Sequence, residues 1–203
     1  MKIFIIELIV AIVLIGAFIH FRLTKSKEHY KAALLARHID TSDEMKRTLA
    51  MGLYLRFRKE NPDDKKLIKD NSIFIKQDPI AFESFVAEVF DRTRGGSTWV
   101  TPPSGDYGVD FEHETKEGKF LGQVKCYKDD LDFEAIAILH SNIIKQGLQG
   151  GYVITTGDFT KNALRYAEGL NIELINGVQL VDLWLEGLEN AEQEIKQVIP
   201  EYV

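Results

Sequence analysis

Two alternating stretches separated by a short polar break commit the middle of this chain to a β-hairpin. Tyr107-Gly-Val-Asp-Phe-Glu-His-Glu114 and Phe120-Leu-Gly-Gln-Val-Lys-Cys126 follow the two-residue period of a strand, and Lys116-Glu-Gly-Lys119 between them has the composition of a turn. Residues two apart on a strand share a face, so Gln123 and Lys125 point the same way, in a row with Leu121. Folding about Glu117 sets Asp110 roughly opposite Val124, in diagonal reach of its neighbours if the register slips by one. A carboxylate, a carboxamide and an ammonium group can then converge at one end of the hairpin.

Upstream, Asp78-Pro79 is a good helix start, with Asp78 as N-cap and Pro79 at the first helical position. Phe82, Phe85, Val86, Val89 and Phe90 repeat at helical spacing as a buried stripe, with Glu83 at its edge. An ionised carboxylate beside such a stripe is costly unless paired or metal-bound, which would take Glu83 to the same site. On spacing alone Glu83 is equally a solvated flank residue. Oxygen ligands of this kind suit Mg2+, which keeps most of its waters and takes one or two protein carboxylates. Lys125 would then face the phosphate of a phosphodiester substrate.

Asp110, Gln123-Val-Lys125 and Phe82-Glu83 resemble the active-site signature of the Mrr-type restriction endonucleases, a branch of the PD-(D/E)xK nuclease superfamily in which Gln replaces the second acidic residue. Ser104-Gly-Asp-Tyr-Gly-Val-Asp110 is similar to the family's Asp-x-Gly-x-Asp segment. Gly151 to Ala163 follows its strand-to-helix segment, and Ile172 to Leu180 its terminal strand and helix start. One departure is Cys126, where the family often has Arg. The resemblance implies DNA as substrate, Mg2+ as cofactor held by Asp110, Gln123 and Glu83, Lys125 as the catalytic cation, and a homodimer to cut both strands.

After the Asp78 helix the expected order is strand, strand, strand, helix, strand, helix, strand, helix, with Trp99 to Thr101 beginning the sheet. Phe133 to Leu148, Thr160 to Leu170 and Val178 to Leu188 supply the later helices. The fold class is α/β, a restriction-endonuclease-like mixed sheet flanked by helices. Composition sets an anchor (1–23), a basic and largely helical connector (24–76) and an acidic tail (189–203) apart from residues 77–188, which the resemblance implies are the nuclease domain.

The anchor is the run Ile3 to Phe21, 19 nearly unbroken apolar residues interrupted by Glu7. At about 1.5 Å per residue it is long enough to cross a bilayer. A signal peptide is the rival reading, but the run is long for one and no small-x-small cleavage site follows. Arg22, Lys25, Lys27 and Lys31 on its C-terminal side place the bulk of the chain in the cytoplasm of a cell whose inner membrane it spans once. The single Cys126 fits a reducing compartment and reads as a small buried hydrophobe.

Charge is uneven. Residues 22–76 carry 14 Lys and Arg against 8 Asp and Glu, whereas residues 77–185 carry 9 against 17. An acidic nuclease region is not the footprint of a tight non-specific DNA binder, so local cations must meet the backbone. Candidates are Arg92, Arg94, Lys128, Lys161 and Arg165, together with the connector, whose helical spacing runs over Tyr30 to Ile39 and Ser42 to Phe57 before Asn61-Pro-Asp-Asp64 breaks it. Two functions remain open: a membrane-anchored, Mg2+-dependent DNA endonuclease, and a catalytically silent descendant that binds DNA or a protein partner at the membrane.

Overall fold

The computed structural model describes residues 13–21, 24, 43–58, 79–102 and 107–198. Helix α1 (Asp43–Phe57) and helix α2 (Pro79–Thr93) precede strands β1 (Ser97–Val100), β2 (Phe111–Thr115) and β3 (Gly118–Lys125). Helix α3 (Glu134–Gln146), strand β4 (Gly150–Thr155), helix α4 (Lys161–Ala167), strand β5 (Ile172–Ile175) and helix α5 (Gly177–Val198) follow. The strands form one sheet in chain order, with β1, β2 and β3 antiparallel and β3, β4 and β5 parallel. The mixed sheet flanked by helices is the one the alternation predicts, in the predicted order of elements.

Each parallel step needs a crossover, and α3 and α4 supply them on one face of the sheet. Ile136, Leu139 and Ile143 of α3 and Ala163 of α4 pack there against Leu121, Val153 and Ile172. On the other face Phe57, Phe82, Val86, Phe90, Leu180, Val181 and Leu185 cover Phe111, Val124, Ile154 and Ile175. Helix α1, from the basic stretch, is thus a core element through Ala50, Leu53 and Phe57. Its Lys46 reaches Asp182 of α5 at 2.6 Å. Helix starts follow the chemistry of their first residues: Thr160 accepts from the Ala163 amide at 3.0 Å ahead of α4. Asn176 and Gln179 exchange side-chain bonds with each other's amides ahead of α5.

The β2–β3 register differs by one residue from folding about Glu117. Thr115 pairs with Gly118, leaving Lys116 and Glu117 as a two-residue turn, and Phe111 pairs with Gly122. That last pair is a steric lock: a Cβ on Gly122 would lie 2.0 Å from the Phe111 ring, which fills the space a side chain would need.

His113 is fully buried in β2, its Nδ1 2.8 Å from the Thr98 hydroxyl and its ring against Phe90 and Tyr152. Its Nε2 has no hydrogen-bond partner among the described residues. Burial lowers its pKa from the usual 6.5, with Asp91 opposing and Arg94 reinforcing the shift. The unfolded chain therefore takes up a proton that the folded chain resists. The neutral site contributes its full stability above 6.5 and loses it as pH falls through and below that value. Thermal melts between about pH 7 and pH 5 should show a falling midpoint, with a smaller fall in His113→Phe.

Of the apolar run Ile3 to Phe21, residues 13–21 are helical and exposed, and the rest lies outside the described residues. Among the described residues no helix is long and apolar enough to cross a membrane. Asp78, Ser104 to Asp106, the Tyr30 to Ile39 stretch and Asn61 to Asp64 also lie outside them.

Candidate active site

Because β3, β4 and β5 are parallel, their C-terminal ends share one edge of the sheet, and the antiparallel β2 begins there. Extending the Phe111–Gly122 pairing by one residue sets Asp110 across from Gln123. Asp110 is held from both sides. Its N–H donates to the Gly122 carbonyl at 2.8 Å, and its carbonyl accepts from the Thr101 N–H at 3.0 Å. The Thr101 hydroxyl also donates to the Val109 carbonyl.

Strand alternation fails at Asp110. Val109 and Phe111 are two apart, yet Val109 lies in the core under α3 and Phe111 in the core under α2. The break turns the Asp110 side chain onto β3, where its Oδ2 accepts from the Val124 N–H at 2.7 Å. The carboxylate is buried and tied to the strand that carries the other two candidates.

On β3 alternation is regular. Gly122 and Val124 face the core under α2, which leaves Leu121, Gln123 and Lys125 on the α3 face. Gln123 is 2% exposed, and its Oε1 has no hydrogen-bond partner among the described residues. A buried acceptor left unpaired costs roughly 1–3 kcal/mol, so its presence needs a cause, and a bound cation supplies one. Lys125 ends β3 half-buried, paired in the ladder with the buried Thr155. An acid oxygen, an amide oxygen and an ammonium group thus lie along one edge of the sheet, a donor set that fits a hard divalent ion beside an anionic substrate.

Glu83 lies on a separate element from this row. It is half-buried on α2, and that helix covers the opposite face of the sheet through Phe82, Val86 and Phe90. Among the described residues no three His, Cys, Asp or Glu side chains group as metal ligands. Cys126 faces the core under α2, where burial pushes its thiol up to about 11 and keeps it protonated.

The proposed DNA-facing cations divide. Arg92 pairs with Glu88 and Arg94 with Glu173, each at 2.6 Å, and Glu173 lies in β5 near the end remote from Asp110. Lys128, just past β3, and Lys161, opening α4, follow the strand ends that form the site edge.

Alternation alone extends β2 back through Tyr107 and Gly108, but these residues form a turn with φ of 49° and 82°. The Gly after a Ser-Gly-Asp cluster was the available signal for it. Asn142 donates to the Tyr107 carbonyl at 3.0 Å, and nothing in the spacing of α3 marks that role. A Cβ on Gly108 would lie 3.0 Å from the Gln123 amide nitrogen and 2.9 Å from Ile138. Gly108→Ala should therefore cost about 1–2 kcal/mol in urea unfolding from its left-handed backbone alone, and should also disturb Gln123.

Residues 75–184 match the family model Mrr_cat, restriction endonuclease. The fold is similar to that of MspJI restriction endonuclease in complex with a 27-mer oligonucleotide, at 20% identity and a TM-score of 0.47, over 79% of this chain and 37% of that one. It is also similar to the DNA modification-dependent restriction endonuclease AspBHI, at 15% identity and a TM-score of 0.49, over 76% of this chain and 40% of that one. The chain therefore matches well under half the length of either protein. No curated protein matches the chain.

Proposed function

The chain belongs to the Mrr_cat restriction endonuclease family, and from that membership we propose that it is a DNA endonuclease that hydrolyses phosphodiester bonds with Mg2+. The observation that carries the reading is the buried Oε1 of Gln123, without a hydrogen-bond partner among the described residues, on the residue across from Asp110, with Lys125 two residues on along the same face.

In this reading Asp110 and Gln123 hold the ion, and Glu83 adds an outer carboxylate from α2. Bound Mg2+ supplies charge neutralisation at the phosphate and an activated water. Lys125 places its ammonium against the phosphate oxygens, where negative charge grows as the nucleophile adds. The Val124 N–H holds the Asp110 carboxylate in one orientation through the reaction. Lys128 and Lys161 meet the flanking backbone.

The apolar run Ile3 to Phe21 anchors the enzyme in the inner membrane, with the basic residues from Arg22 to Lys31 and the nuclease body on the cytoplasmic side. A homodimer brings two such sites to the two strands. The excess of 17 acidic over 9 basic residues in 77–185 favours a second reading, a catalytically silent member that binds DNA or a partner at the membrane.

Incubating the detergent-solubilised full chain with methylated and unmethylated plasmid, in Mg2+ or EDTA, separates the two. Nicked or linear product confined to Mg2+ is the expected result, and comparison of the plasmids reads out whether base modification directs the enzyme. Intact plasmid in every lane would favour the binding role.

A further inference from the structure

Tyr107 is 75% exposed, so burial repays nothing for its left-handed backbone. A bulky side chain at φ 49° is a genuine outlier that Gly or Asn would relieve. The strain is held in place: Asn142 of α3 clamps the Tyr107 carbonyl at 3.0 Å, and Gly108 packs tightly against Gln123 and Ile138. Lys145 lies over the ring, its Nζ 5.3 Å from the centroid. No carboxylate lies within ion-pair distance of Lys145 among the described residues. An aromatic face and a cation with no ion-pair partner among the described residues are therefore presented together to solvent, three residues from Asp110. Neither packing nor local conformation accounts for a tyrosine here, and strain of this kind collects at sites that use it.

We propose that Tyr107 and Lys145 form a DNA-contacting pair beside the candidate site, the ring laid against a nucleotide next to the scissile phosphate and the ammonium against a backbone phosphate. This rests on the nuclease reading above. In a duplex the base faces are stacked on one another, so the ring packs against the sugar and base edge of that nucleotide, and a flanking lysine adds charge without sequence preference. The strained backbone fixes the ring's direction before DNA arrives, so less freedom is lost on binding.

The test is anisotropy of a fluorescent duplex oligonucleotide with the detergent-solubilised full chain, Ca2+ replacing Mg2+ to prevent cutting. Tyr107→Gly removes the ring and relieves the strain. It should weaken binding about tenfold while the melting temperature does not fall below that of wild type. Tyr107→Phe should bind like wild type. Lys145→Gln should weaken binding and lower the slope of log affinity against log salt by about 1. Wild-type affinity in Tyr107→Gly, beside a wild-type chain that binds and cuts DNA, would overturn this inference and leave the nuclease reading intact. A wild-type chain that neither binds nor cuts duplex DNA would overturn both.

Discussion

Asp110→Asn should leave the protein folded and lower its plasmid cleavage by on the order of 10³-fold. The carboxamide keeps an oxygen for the Val124 N–H, so the 2.7 Å bond that ties β2 to β3 survives while the charge for the metal is gone. Asp110→Ala differs in kind. It strands a buried N–H in the middle of the sheet and should lower stability by about 1–3 kcal/mol as well as abolish cutting. Lys125→Ala, at a half-exposed strand end, should lose at least about 10²-fold in rate with little change in stability. Urea unfolding beside plasmid cleavage reads both quantities. Cleavage by Lys125→Ala at the wild-type rate would sink the proposed chemistry.

The largest stability effect should come from Phe111→Ala. Its ring is fully buried, stacks edge-on against Phe90 at 5.2 Å, and fills the missing side chain of Gly122. Truncation leaves a cavity in the core under α2 and should cost about 3–5 kcal/mol, a large part of the stability of a domain this size. Gly122→Ala should itself be destabilising by about 3 kcal/mol, because the new methyl meets the ring at 2.0 Å and neither strand can withdraw. The two changes should not add: in the double variant the new methyl has room, and its cost should fall well below the sum. Strict additivity in chemical denaturation would show that the ring and the glycine do not form a lock. Because the Phe111–Gly122 pair also sets which residue faces Asp110, the double variant should recover stability before it recovers cleavage.

The order of elements and the hairpin were legible because alternation and helical spacing are local signals. The register was less so. Lys116 to Lys119 has turn composition throughout, and composition does not say that the strand resumes at Gly118, so folding about Glu117 misses by one residue. The row of Gln123 and Lys125 follows from period two alone. The placement of Asp110 does not, since alternation breaks where its N–H donates to the Gly122 carbonyl and its carbonyl accepts from the Thr101 N–H, residues outside its own strand. Tyr107 and Gly108 read as strand for the same reason: their turn is held by Asn142, 35 residues away. Helix α1 was legible as a helix, but its basic surroundings concealed that Ala50, Leu53 and Phe57 face a core.

That last helix changes what counts as one cooperative piece. The family match spans residues 75–184, yet Phe57 stacks on Phe82 and Phe85 at 5.2 and 5.5 Å, and Leu185 lies in the same cluster. A protein trimmed to the matched limits would lose α1 and most of α5, baring the apolar faces of Phe82 and Leu180 to water. The segment that carries the family's signature is therefore shorter than the segment that can stand alone, and the basic stretch before it lends the nuclease part of its own interior.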